Sequence, residues 1–310
     1  MSQTPNECRF NARLRNVKHF ATLIKSVNFK DVATCKIEAE GISFIMEDSR
    51  CLFARCLIQR TVFEDYRYIS PVDSDTPDAP IPHGYDQYGS VSFGINLATL
   101  LSCLNMFGTA NAGGYNNDST ANYGGGGGTS GGGAGSATPV KLSYNGIGSK
   151  FTLILEDNGV VTTCRIPTFD PDPPIDFEFN DERHSKVIMK SGWLEEGLRD
   201  LDATSDRVVL RLSPEIPHFR ISSLGTIENL DVNYSKGDVI ETFVYPYAQP
   251  TEISYNFTHM LHVLRACAVA STVNIMVDDN DFLKMQFLIP LPDHKFLFAE
   301  YAFCPIEPVD

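Results

Sequence analysis

The chain has 310 residues, 43% of them apolar and 21% charged, enough core-forming material for roughly two domains of ~150 residues each and too much for wholesale disorder. It sets 25 Lys and Arg against 39 Asp and Glu, a formal charge of −14, which excludes a protein that coats nucleic acid with its whole surface. No apolar run approaches the ~18 residues of a membrane helix, and Met1–Phe10 lacks the apolar centre of a signal peptide.

Along the chain, Val17–Val27 is the first segment with helical period. Val17, Phe20, Ile24 and Val27 share one face, and Lys18, Thr22 and Lys25 lie opposite. Arg50–Ile58 reads as a strand. Residues 71–88, with four prolines and several Asp, read as an extended acidic loop. Asn96–Phe107 is a second amphipathic helix, with Leu97, Leu100, Leu101, Leu104 and Phe107 facing inward. Residues 108–139 hold twelve of the 23 glycines and read as a flexible insert. Phe151–Leu155 and Val160–Ile166 are strands, short, branched and bounded by turn residues.

Pro167 to Pro174 contains four prolines and reads as an extended linker. Beyond it, Gly192–Leu201 is a third helix, with Trp193, Leu194, Leu198 and Leu201 inward and Glu195, Glu196, Arg199 and Asp200 outward. Val208–Leu212 is a strand. Thr258–Ala268 is a fourth helix, with Met260, Leu261, Leu264 and Cys267 opposite His259, His262 and Arg265. Val273–Val277, Phe282–Ile289 and Phe296–Cys304 close the chain as strands. In the middle one Leu283, Met285 and Phe287 alternate with Lys284 and Gln286.

The halves echo each other, since Ile95-Asn-Leu-x-x-Leu-Leu parallels Tyr255-Asn-Phe-x-x-Met-Leu. This predicts an α+β fold made of two copies of one unit, each an antiparallel sheet with two helices on one face. The boundaries fall at 1–166, a connecting segment 167–178, and 179–310. The polar sides of all four helices then point the same way.

Motifs for chemistry are sparse. Gly126-x-Gly128-x-x-Gly131 matches a dinucleotide fingerprint but sits inside a glycine run without strand or helix, and reads as filler. His259 and His262 share a helix face without a third ligand, and Cys51 and Cys56 lie on opposite faces of a strand. The eight cysteines include no C-x-x-C pair, and most sit among apolar residues as buried thiols. The acid groups Asp170/Asp172, Asp200/Asp202 and Asp278/Asp279/Asp281 could hold Mg²⁺ for phosphodiester cleavage, but turn and loop acids are usually just solvated. No catalytic residue, cofactor site or metal site emerges. The remaining signal is the helix layer, where Lys18, Lys25, Arg199 and Arg265 can meet phosphates by charge pairing.

Phe10-Asn-Ala-Arg-Leu14 before a helix, Gly41-Ile-Ser-Phe-Ile-Met-Glu-Asp-Ser49, Ile95-Asn-Leu97, Arg199-Asp-Leu201 and Val208-Val-Leu-Arg-Leu212 together resemble the replicative sliding clamps of eukaryotes. Ala33-Thr-Cys35, Glu156-Asp-Asn-Gly-Val-Val-Thr-Thr-Cys164 and Glu300-Tyr-Ala-Phe-Cys-Pro305 narrow the likeness to the Rad-one-type subunits of the heterotrimeric checkpoint clamp, the nine-one-one ring. The resemblance implies a ring closed by edge-strand pairing with two other clamp subunits, helices lining the hole and sheets outside. It implies double-stranded DNA threaded through without base reading, an ATP-dependent loader, repair and checkpoint proteins as clients, and residence in the nucleus. The DNA-facing surface would carry Lys18, Thr22, Lys25, Arg199, His259, His262 and Arg265. Two alternatives stand beside this reading: a 3′–5′ exonuclease, an activity attributed to the family, and a homotrimeric clamp of the replicative type.

Overall fold

In the computed structural model the described residues are 9–70, 85–86, 88–106, 138–171, 179–180, 182–225 and 229–306. They form nineteen strands and five helices. The first half runs β1 (Phe10–Leu14), α1 (Val17–Val27), β2 (Val32–Glu38), β3 (Gly41–Asp48), β4 (Leu52–Gln59), β5 (Asp65–Tyr68), β6 (Val91–Asn96), α2 (Leu97–Leu104), β7 (Val140–Tyr144), β8 (Phe151–Asp157) and β9 (Val160–Ile166). A two-residue strand, β10 (Thr168–Phe169), follows. The second half runs β11 (His184–Lys190), α3 (Ser191–Asp200), β12 (Arg207–Leu212), β13 (Phe219–Leu224), β14 (Asn229–Tyr234), β15 (Ile240–Val244), β16 (Thr251–Asn256), α4 (Phe257–Leu261), α5 (Leu264–Cys267), β17 (Thr272–Asp278), β18 (Leu283–Pro290) and β19 (Phe296–Phe303).

The strand neighbours repeat. The first half pairs β5-β1-β7-β8-β9 and β6-β2-β3-β4; the second pairs β15-β11-β17-β18-β19 and β16-β12-β13-β14. Each strand of the second half thus has the neighbours of the strand ten places earlier, so two copies of one antiparallel unit stand in line. The copies join where β4 pairs with β19, Phe298 opposite Leu57 and Phe303 opposite Leu52. This joint runs the two sheets together, and β10, added at the β6 edge, brings the total to ten strands. Phe169 packs against Gly94 there; a Cβ at that glycine would come within 2.1 Å of the ring.

The helices form one row, α2–α1–α5–α3, with α4 leading into α5, and both halves' sheets lie behind it. Asparagines begin three of them, because a short amide can satisfy an otherwise orphaned N–H. Asn16, Asn96 and Asn256 accept from the backbone N–H of Lys18, Thr99 and His259 at 2.9, 2.8 and 3.0 Å. Asn96 and Asn256 are the asparagines of the internal echo, so part of that echo is a repeated cap.

All seven expected strands are present, with ends shifted by at most two residues. Two details of the helices differ from expectation. Trp193 is not in the core but 43% exposed, because Gly197 brings α3 down onto Tyr234 and turns Leu194 and Leu198 inward instead. The fourth helix is split: His262 and Val263 donate back only three residues, to His259 and Met260, and the buried stripe becomes Phe257, Met260, Val263 and Cys267. Leu261 and Leu264, expected inward, are half-buried at its flank. The acidic loop 71–88 and the glycine-rich insert 108–139 fall almost wholly outside the described residues, as do the G-x-G-x-x-G match, residues 172–178 of the connecting segment and Phe107.

Candidate nucleic-acid interface in the helix layer

Lys18, Thr22 and Lys25 follow one another at the i, i+4, i+7 spacing and share the polar side of α1, each half-buried. The opposite side supplies Val17, Phe20, Ala21, Leu23, Ile24 and Val27 to the core, all fully buried. The α1 charges thus lie on the side of the helix away from this buried stripe.

The residues of the fourth helix do something the sequence did not suggest. They knit the two halves together around the loop that follows α1. The Arg265 guanidinium donates to the Asn28 carbonyl at 2.5 Å, and the His262 ring stacks on Phe29 at 5.0 Å. His259 Nε2 lies 3.7 Å from Asp48, whose other carboxylate oxygen is 2.9 Å from Lys30 Nζ. The Lys30 ammonium hydrogen-bonded to Asp48 holds that carboxyl below its usual range, with His259 adding to the effect. Burial pushes the His262 imidazole down, and the neighbouring Arg265 and His259 push it further. Tyr301, buried in β19, donates to the carbonyls of Ser26 in α1 at 2.6 Å and of His262 at 3.1 Å.

Arg199 stands apart on α3 and is held by Glu195 one turn away, at 2.8 Å. Among the described residues that helix shows Glu195, Glu196 and Asp200 against this single cation, and α2 shows none. The expected basic surface is thus concentrated on α1 and on the exposed Arg265. His259 and His262 are committed to the joint. Sequence reasoning overlooked Asn28, Phe29, Lys30 and Asp48. Asn28, Phe29 and Lys30 lie in the short loop between α1 and β2 and Asp48 at the end of β3, places without a side-chain period to mark them.

The acid groups do not form one site. Asp278 is 2% exposed and its carboxylate is filled by backbone donors: Oδ1 accepts from Asn280 and Phe282, and Oδ2 from Asn180, all at 2.9 Å. It closes the β17–β18 turn and ties the start of the second half to it. Asp279 accepts from the Asn180 amide at 3.0 Å, and burial beside Asp278 raises the Asp281 carboxyl. Asp202 caps its own turn by accepting from Thr204. Asp172 lies outside the described residues. No group of three or more His, Cys, Asp or Glu able to hold a metal ion occurs among the described residues. The thiols of Cys35, Cys56, Cys164 and Cys267 are buried as expected, but Cys103 and Cys304 are half-buried and Cys51 is exposed.

A duplicated antiparallel unit with one continuous helix row invites comparison with known proteins. A family model described as "Repair protein Rad1/Rec1/Rad17" matches residues 9–289. The chain belongs to this family. It is 31% identical over 301 residues to the mouse cell cycle checkpoint protein RAD1, covering 96% of this chain and 92% of that protein. Another Rad1-family relative, from Mycosarcoma maydis, is named DNA repair exonuclease REC1 and is 24% identical across 96% of this chain and 95% of its own length. In three dimensions the chain superposes on PCNA from Thermococcus kodakaraensis with a TM-score of 0.67 and 16% identity, covering 96% of this chain and all of that one. The fold of this Rad1-family chain is that of a sliding clamp.

Proposed function

We propose that the chain is one subunit of a heterotrimeric, DNA-encircling checkpoint clamp in the nucleus, divided as residues 1–166, 167–178 and 179–310. The observation that carries this reading is the β4–β19 joint. In each unit the strand equivalent to β19 and the strand equivalent to β4 are outer strands of their sheets. Within the chain one such pair meets; its counterparts, β9 and β14, are left as edges among the described strands. Val160 and Val161 of β9 are 57% and 60% exposed. Open edges of this kind invite pairing, and a joint whose two faces differ closes a ring when repeated through the right angle. Three chains supply six units, and two other clamp subunits complete the circle.

The helix row then faces the hole, where Lys18, Thr22, Lys25 and Arg265 meet the phosphate backbone and Arg199, His259 and His262 lie at its margin. A chain of charge −14 does not wrap DNA by attraction. Enclosure replaces affinity, so few phosphate contacts suffice and sliding is allowed. A closed ring needs an ATP-dependent loader to open it, and its outer sheets offer surface to repair and checkpoint proteins. The protein works without catalysis of its own, since the most buried acid candidate, Asp278, spends its carboxylate on the backbone.

Co-expression with candidate clamp subunits followed by mass measurement tests the assembly. A 1:1:1 complex is expected, and a stable self-trimer in sedimentation of the isolated chain would instead support the homotrimer. In the assembled ring, Lys18→Glu with Lys25→Glu is expected to shorten retention on closed-circular DNA while leaving the melting temperature of the chain unchanged. Equal retention removes α1 from the lining. The exonuclease reading rests on the name of one relative. Metal-dependent 3′–5′ cleavage by the pure chain that is lost in Asp281→Ala would establish it.

A further inference from the structure

The turn between β3 and β4 and the end of β19 bring two thiols face to face. The β4–β19 ladder ends with Phe303 opposite Leu52, and the next pair in register is Cys304 opposite Cys51. The Cys304 N–H donates to the Cys51 carbonyl at 2.9 Å, which extends the ladder to that pair. Directly opposed residues in such a ladder have Cα atoms ~4.5–5.5 Å apart, inside the ~4.4–6.8 Å that a disulfide spans. Both cysteines are free, Cys51 exposed and Cys304 half-buried, with the Cys304 thiol 3.4 Å from the Arg50 carbonyl. The turn that presents Cys51 is tight. Cys51 N–H donates back to Asp48 at 3.0 Å, and Ser49 and Arg50 both have positive φ, 54° and 57°, a conformation that non-glycine residues adopt at a cost.

We propose that Cys51 and Cys304 are a peroxide-responsive thiol pair whose disulfide straps the first half of the chain to the second across the β4–β19 joint. The exposed Cys51 reacts first. Its thiolate attacks a peroxide oxygen, an S–O bond forms, the O–O bond breaks, and the departing hydroxide leaves as water with the thiol proton. Cys304 then attacks the Cys51 sulfur. The S–S bond forms, the S–O bond breaks, and a second water leaves with the Cys304 proton. Two thiols and one hydrogen peroxide give one disulfide and two waters. Burial and the neighbouring Cys51 push the Cys304 thiol up, which suits the slower, resolving partner.

The competing pair is Cys103 and Cys164, which also face each other, with Cys164 3.5 Å from the Met106 sulfur; both of those cysteines lie in the first half. The reduced full chain is treated with hydrogen peroxide, denatured and alkylated, and its mass and non-reduced peptide map are measured. The alkylatable thiols are expected to fall from eight to six, with one cross-linked peptide pair carrying Cys51 and Cys304 and no disulfide between chains. In Cys304→Ser, dimedone is expected to trap a sulfenic acid on Cys51 that wild type does not accumulate. Peroxide is expected to raise the melting temperature of wild type but not of Cys51→Ser or Cys304→Ser. A map that links other cysteines, a link between chains, or equal dimedone trapping in wild type and Cys304→Ser overturns the proposal. The wild-type peptide map decides even where a variant folds poorly.

Discussion

Replacing Tyr301 by Phe tests how the two halves are held together. The hydroxyl reaches two carbonyls, Ser26 O at 2.6 Å and His262 O at 3.1 Å, but has one proton and donates to one of them at a time. Its loss therefore removes about one net hydrogen bond, ~0.5–1.5 kcal/mol, and leaves carbonyls at a helix end and a helix break short of a donor in a dry place. The ring itself stays packed against Phe287, Phe303 and Phe29, so no cavity larger than one oxygen opens. The expected total is about 1–2 kcal/mol, a fall of ~2–4 °C in melting temperature. Urea and thermal melts of the isolated chain give this directly. Hydrogen exchange locates it, with protection expected to fall at β4, β19 and the end of α1 before β7 and β8. Stability within 0.3 kcal/mol of wild type, or a loss spread evenly over both halves, would refute the claim that this hydroxyl fastens the joint.

Gly197→Ala is expected to destabilise by roughly 1–3 kcal/mol, because the new Cβ would stand 1.9 Å from the Tyr234 hydroxyl; recovery in the Tyr234→Phe background, read by urea melts, identifies the clash. His262 is held below its ordinary value of 6.5, so the unfolded chain binds its proton more readily than the folded one. Stability is then expected to fall as pH drops below about 6.5, and His262→Gln flattens that slope in melts between pH 7.5 and 5.5. Asp278→Ala strips three backbone N–H groups of their acceptor and is expected to cost about 2–4 kcal/mol; a variant as stable as wild type in urea would show that the carboxylate is free for another task.

Legibility in the sequence followed range. Helix faces and interior strands depend on neighbours three or two residues away, so Val17–Val27 and β18 were readable from side-chain period alone. The edge strands β5 and β15 were not, because their exposed polar residues dilute the alternation, and β13 was not, because it buries Ser222 and Ser223 beside Ile221 and so does not alternate apolar with polar. Trp193 misled because hydrophobicity alone placed it inward, whereas Gly197 fixes how α3 rolls on Tyr234. The basic residues of the fourth helix misled for a related reason. His259, His262 and Arg265 have the spacing of a solvent-facing stripe, and their partners Asp48, Phe29 and Asn28 come from the far end of the chain. The two-unit architecture itself was legible because it is duplicated, so each half vouches for the other, while the clamp reading came only from the resemblance of segments such as Gly41–Ser49 and Glu300–Pro305.

That duplication also shows where the chain is reinforced. The ladder registers place Cys164 of β9 where β19 has Tyr301: Phe151 faces Ile166 in one unit and Leu283 faces Phe303 in the other. The seam inside the polypeptide therefore carries a phenolic bolt that β9 lacks at the matching position. With that bolt in place the chain is expected to swing as one rigid arc rather than fold at its own middle.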